Sequence, residues 1–398
     1  MFRRCVIAVL AAAVLSAGCA ADKPVTTGQG PPERYRGEAP PSVTADQVAP
    51  PELLSGAGFS VDSDAPVRDY NCVFTVRTEY GPMKAHGVQM LRLRVAEMAA
   101  LDRLLRLARN SNVPVESVAS ALTGSVRGVV VTLDDPAGTV GHAAEQFSVQ
   151  IREVLDPSDR RAGPAFRRRL AVACGADPET NNPLLKGLLD RMSREKKITE
   201  AVVGALPGGG AVLALGELGN RPTADAVAAQ EPHVLNAAVE RQLVALGVDA
   251  GTAARFTGNL AFTTVQRMAL VGRLSRMKGV SGLGATVAAA AEAPGEARAL
   301  GLLAIAATLA AEHERSPLQA VTAGPLPHAI RNDGSRLIVV PADFLHDTDE
   351  VRRAIADYRS AVPDAPTEAL LLGRLTPAAR RMLEAASIAV RSTRKESP

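Results

Sequence analysis

The most regular pattern of hydrophobic and polar positions in this 398-residue chain runs from Gly87 to Arg109. Leu91, Val95, Met98, Leu101 and Leu105 recur at steps of three and four, while Arg92, Arg94, Glu97, Asp102 and Arg103 fall mostly on other faces. That spacing gathers the apolar side chains into one stripe and predicts a long helix. Ahead of it, Asp69 to Thr78 (DYNCVFTVRT) alternates and is rich in β-formers, Tyr80-Gly81-Pro82 turns the chain, and Met83 to His86 returns. These features predict a β-hairpin leading into the helix.

Beyond residue 110 the pattern stays helical but is broken by glycine and proline. Helices are expected over 114–133, 137–155 and 164–175, and from Asn182-Pro183 through Leu184, Leu188, Leu189 and Met192. Residues 198–218 are nearly uncharged, yet Pro207-Gly208-Gly209-Gly210 divides them, which predicts a helical hairpin and not a membrane span. Further helices are expected at 234–246, 251–277 and 295–313. Near Ser316 the pattern changes. Ala329 to Val340 reads as two strands around Asn332-Asp333-Gly334, followed by a helix from Asp349 to Tyr358 and a strand from Ala369 to Leu372. Thr376-Pro377 then caps and opens another helix, and Ile388 to Val390 gives a last strand. The expected fold class is mainly α: a helical body over 67–315 with an N-terminal β-hairpin, and a small C-terminal α+β unit over 316–398. That unit could share its sheet with the hairpin near residue 72.

The N-terminal end follows other rules. Arg3 and Arg4 precede an uncharged apolar run from Val6 to Leu15, too short to span a membrane but suited to a signal peptide over residues 1–18. It ends in Leu15-Ser16-Ala17-Gly18-Cys19, which resembles the bacterial lipobox. The resemblance implies a diacylglyceryl group on the Cys19 thiol, cleavage before Cys19 and acylation (palmitate, for example) of the new terminus. Several acyl chains would anchor the protein firmly. Ala20 and Ala21 lack the aspartate of the inner-membrane retention signal, so in a Gram-negative host the implied address is the outer membrane. Residues 19–66, with Pro31-Pro32, Pro40-Pro41 and Pro50-Pro51, read as a Pro-rich disordered tether. Fully extended at roughly 3 Å per residue, it would reach on the order of 100 Å. The run from Val73 through Tyr80-Gly81 into the Leu/Arg helix is similar to uncharacterised bacterial envelope proteins of unknown function.

Composition narrows the partners. Aromatic residues make up 3% of the chain, with no Trp, so exposed ring platforms for sugars or single-stranded nucleic acid are not expected. A net charge of +3 likewise gives no nucleic-acid footprint. The expected partners are the membrane, through the anchor, and an envelope protein, lipid or cell-wall component. Of the 4 cysteines, Cys5 leaves with the signal and Cys19 carries lipid. Cys72 and Cys174 remain, either as a disulfide or as two buried thiols.

The strongest candidate chemistry is Asp343-Phe344-Leu345-His346-Asp347-Thr348-Asp349-Glu350, where a strand gives way to a helix. His346 with Asp343, Asp347 or Asp349 could ligate a metal, or Asp347 could orient His346 as a base. The competing reading makes Asp347 or Thr348 a helix cap and His346 a solvated loop residue. Other motifs fail in detail. Gly282-Leu283-Gly284 follows a helix and lacks the last small residue of a dinucleotide loop, and Asp177 to Asn181 lacks the glycine and glutamate of an EF-hand. No cofactor or metal is therefore expected. The leading expectation is a membrane-anchored envelope lipoprotein with a non-enzymatic binding or structural role; the alternative is a hydrolase or metal-dependent enzyme using the Asp343–Asp349 segment.

Overall fold

The computed structural model describes residues 37–56, 58–110, 163–194, 226–323 and 326–393. The expected signal peptide, Cys19, and the helices expected at 114–133, 137–155 and 198–218 lie outside the described residues.

The expected tether ends earlier than residue 66. Residues 37–66 hold a short helix α1 (Ala45–Val48), a 3₁₀ turn (Pro51–Leu53) and strands β1 (Ser55–Gly56) and β2 (Phe59–Val61). Val43, Ala45, Val48, Leu53 and Phe59 are buried in the main core. Their spacing has no single period, and Pro50-Pro51 sits at the turn entrance, where proline's fixed φ suits it. The stretch reads as linker only because its apolar residues follow no repeat.

Strands β3 (Val67–Arg68), β4 (Asn71–Thr78) and β5 (Gly81–His86) complete an antiparallel sheet, with β4 paired to β5 on one edge and to β2 and β3 on the other. Helix α2 (Val88–Asn110) follows without a break. Its first half sends Val88, Leu91 and Val95 into the main core. Its second half sends Met98, Leu101, Leu104 and Leu107 into another, shared with α3 (Pro164–Ala173) and α4 (Pro183–Met192). One helix therefore joins both cores.

Helices α5 (Pro232–Ala245), α6 (Ala250–Gly258), α7 (Thr264–Arg276), α8 (Gly284–Ala291) and α9 (Glu296–Arg315) build the body. The single helix expected over 251–277 is two. Asn259 turns away to donate its amide to the carbonyls of Ala290, Ala291 and Ala293, and Thr263 with Gln266 forms a capping box for α7. Gly282, in the motif dismissed as a dinucleotide loop, has φ +76°, and a Cβ there would stand 2.1 Å from the Val321 carbonyl. Glycine allows the turn to press against the next sheet.

That sheet runs in the order β12-β10-β8-β7-β6, from β6 (Leu318–Thr322), β7 (His328–Arg331), β8 (Arg336–Val340), β10 (Thr367–Leu371) and β12 (Ile388–Ser392). Strands β8, β10 and β12 are parallel, joined through α10 (Asp349–Ala361) and α11 (Pro377–Ala385); β6 to β8 are antiparallel. A separate parallel pair, β9 (Phe344–Leu345) with β11 (Arg374–Leu375), lies beyond the strand ends. Alternate residues enter opposite layers: Leu337 and Val339 pack into the main core with α9, and Ile338 and Val340 against α10 and α11. The chain is thus mainly helical, with an N-terminal antiparallel sheet and a C-terminal mixed sheet with helices. The two sheets are separate, contrary to the shared sheet anticipated near residue 72.

Candidate functional site

The Asp343–Glu350 segment leaves the end of β8, makes β9 and enters α10. Thr348 is the cap of that helix, its Oγ1 accepting from the Val351 N–H at 3.2 Å, and Asp349 and Glu350 occupy the first turn. Carboxylates there face the positive end of the helix dipole. The capping alternative holds for Thr348.

Asp343 does something the sequence does not announce. Both of its carboxylate oxygens accept from the Val88 N–H, at 3.1 and 3.0 Å, and Oδ2 also accepts from Cys72 N–H at 2.9 Å. The start of α2 is thus capped by a residue 255 positions away. Gly87 makes the approach feasible: its φ is +92°, and a Cβ would lie 3.5 Å from Asp343 Oδ2 and 3.3 Å from Asn71 Oδ1.

Asp347 does not orient His346. Its two oxygens accept from Arg352 at 2.7 and 2.6 Å. Its backbone exchanges bonds with Glu38, N–H to Oε2 at 3.1 Å and carbonyl from Glu38 N–H at 2.8 Å. Glu38 Oε2 also accepts from Thr376 Oγ1 at 2.6 Å, so it ties α10's entrance to α11's cap. His346 is buried without exposure, not solvated, and its ring centroid lies 5.0 Å from that of Tyr70. Burial holds its imidazole below the ordinary histidine range, against a bond to the Phe344 backbone and the charges of Glu38 and Asp347. The ring is enclosed.

Tyr70 and Glu38 are the contributors that pattern reading overlooks. Asp69 and Tyr70 have φ of +48° and +66°, so the β3–β4 loop turns in the manner of a type I′ hairpin without glycine. Tyr70 is compensated for that backbone: its carbonyl accepts from Asp343 and Phe344 N–H, each at 3.1 Å, and its hydroxyl lies 2.6 Å from Thr348 Oγ1. Among the described residues no group of three or more His, Cys, Asp or Glu could hold a metal ion, so Asp343, His346, Asp347 and Asp349 are not brought together as ligands.

A second polar centre lies at the middle of α2. Arg94 donates to Glu97 at 2.6 Å and to Glu296 at the start of α9; Glu97 also accepts from Thr180 and, at 3.1 Å, from Asn182. The loop from Asp177 to Asn182, which opens with the Asp177–Asn181 stretch that fails as an EF-hand, carries these bonds. Asp177 accepts from Thr263 Oγ1 at 2.5 Å and from Glu179 N–H at 2.9 Å. Its burial still pushes the carboxyl up to about 7.

Cys72 and Cys174 lie apart, Cys72 in the main core and Cys174 in the α2–α3–α4 core, both buried and with no disulfide between them. Burial drives the Cys174 thiol up to about 12, which suits an inert core residue. Of the arginines on α3, Arg167 pairs with Asp190 and Arg168 with Glu231, so those two serve internal ion pairs. No family model matches the chain, and no curated protein or solved structure matches it.

Proposed function

We propose that the chain is an exported lipoprotein, held on the cell envelope by lipid on Cys19, whose body serves a binding or structural role toward a partner protein, a lipid or a cell-wall component. The observation that carries this reading is the Leu15-Ser16-Ala17-Gly18-Cys19 motif at the end of an apolar run. The engagement of the candidate acid and base residues supports it from another side. Asp343 holds the start of α2, Asp347 holds Arg352 and Glu38, and His346 is enclosed beside Tyr70. These bonds give the segment a structural task. Among the described residues no helix is long and apolar enough to cross a membrane.

Mass spectrometry of protein extracted from membranes tests the anchor. The expected N-terminal peptide begins at Cys19 and carries diacylglycerol, and Cys19→Ser should move the protein out of the membrane fraction. An N-terminus elsewhere, or unchanged membrane association in Cys19→Ser, would refute it. Turnover of an ester, phosphate or glycoside substrate that disappears in His346→Ala would replace the binding role with the hydrolase reading.

A further inference from the structure

Helix α5 is apolar on two opposite sides. Leu235, Val239 and Leu243 face inward and are buried. Val234, Ala237, Ala238, Val244 and Ala245 lie on the outer side and are exposed. A surface helix normally buries one such stripe and turns polar residues outward on the other. Three large apolar side chains are exposed among the described residues. Two of them, Val234 at 42% and Val244 at 48%, line the same groove of about 610 Å³ between α5 and α6. A single exposed valine is ordinary, whereas two in one groove mark a place of contact. We infer that this groove is an interface between two copies of the chain, with α5 packed antiparallel to α5 of the second copy about a two-fold axis.

The occupant follows from the pattern that the helix presents. Val234, Ala237, Arg241 and Val244 line the groove at steps of three, four and three residues, the spacing of a two-helix seam. That spacing reads the same from either end. Paired antiparallel about Val239, each Val234 meets the other copy's Val244, and each Ala237 meets the other copy's Arg241, whose stem takes the room that alanine leaves. The charges fit the same symmetry. Arg241 is exposed and makes no hydrogen bond or ion pair among the described residues. Its neighbour Glu240 accepts from Thr257 Oγ1 through Oε1 and keeps Oε2 for another donor. Near the axis the two Arg241 and two Glu240 make a neutral group of four, in which each guanidinium can bind the opposite carboxylate. From α6 the groove receives only Ala250 and Ala253, so that wall is low and a second helix can approach.

The length of the helix limits the strength of the pair. With 14 residues, α5 is about 21 Å long, so the contact buries less than the roughly 1,600 Å² of a standard stable complex. Association is therefore weak and reversible, and copies held close together on one surface would pair more readily than copies in solution. The pairing concerns the groove alone and holds whether or not Cys19 carries lipid.

Sedimentation equilibrium of the full chain tests this, with Cys19→Ser as the parent so that lipid cannot drive association. Its weight-average mass should climb from one chain towards two over about a hundredfold rise in concentration. Val234→Glu and Val244→Glu should each raise the dissociation constant about tenfold or more. Arg241→Glu should weaken pairing, and adding Glu240→Arg to it should restore part of the loss, a rescue expected only if the two residues meet across the axis. Leu260→Glu alters the third exposed apolar side chain, 89% exposed and off the groove, and should pair as the parent does. Circular dichroism checks that each variant folds; should Val244→Glu fail, Val234→Ser and the charge exchange carry the test, and both must shift the mass. A parent that stays a single chain at every concentration overturns the inference. So does pairing that survives both valine variants, or that is lost equally in Leu260→Glu. Flotation of a single-chain parent with phosphatidylcholine vesicles, abolished by Val244→Glu, would assign the groove to lipid and overturn it as well. Failure of the lipid reading at Cys19 would appear in membrane fractionation and leave the mass shift in place.

Discussion

Helix α2 is held at two places by buried carboxylates, and the two work by different physics. At its start, Asp343 accepts from backbone N–H groups, so a charge meets dipoles. At its middle, Glu97 meets the Arg94 guanidinium, with Thr180 and Asn182 filling its remaining acceptor positions. The first arrangement tells the helix where to begin. The second locks the helix to α9 and to the loop before α4, where its two cores meet. A cap can lose its carboxylate and leave unsatisfied N–H groups; an ion network that loses a carboxylate leaves a buried cation.

That difference sets the expected order of effects. Glu97→Ala should be the most damaging, about 3–5 kcal/mol in chemical denaturation, because Arg94 then keeps Glu296 as its one remaining carboxylate partner in a buried site. Asp343→Ala should cost about 1–3 kcal/mol, the penalty for buried donors left without an acceptor. A loss from Asp343→Ala equal to or above that of Glu97→Ala would break the distinction between cap and network.

Asp177 sharpens it through pH. Its carboxyl stands near 7 in the folded protein against an ordinary value of 3.8, so between those pH values the native state keeps a proton that the unfolded chain has released. Its contribution to stability is therefore complete below about pH 4, falls as pH rises, and has gone above about pH 7. Asp177→Asn should flatten that slope in melts recorded across the window, by roughly 1–3 kcal/mol between its ends. An unchanged slope would show that the loop carries no such proton. The smallest effect is expected from Tyr70→Phe, about 1 kcal/mol for the lost bond to Thr348, read in the same denaturation assay.

What the sequence could and could not reveal divides along similar lines. Features governed by neighbours in the chain were readable: the stripe of α2, the turn at Asn332-Asp333-Gly334, and the caps at Thr348 and Thr376 followed by Pro377. The capping box of Thr263 and Gln266 was equally present, but apolar residues on both sides made the stretch look like one uninterrupted helix. The bonds of Asp343 to Val88 and of Glu38 to Thr376 join residues hundreds of positions apart and have no local signature. Tyr70 is harder still, because a bulky residue with positive φ is not a turn signal until its burial and its bonds to the Asp343 loop are known. The segment nominated for catalysis makes bonds to Val88, Cys72 and Glu38 that its own residues do not announce.

The pinning of Glu38 to Asp347 and Thr376 shortens the reach of the proposed anchor. If Cys19 bears the anchor, residues 20–36 are all that separate it from the first residue docked on the body. At no more than about 3.3–3.6 Å each they reach roughly 60 Å, well short of the reach implied by a tether extending to residue 66. The leash is fastened beside α10 and α11, at the far end of the sequence. The anchor, if present, would then draw the C-terminal mixed sheet and its helices towards the bilayer ahead of the helical body.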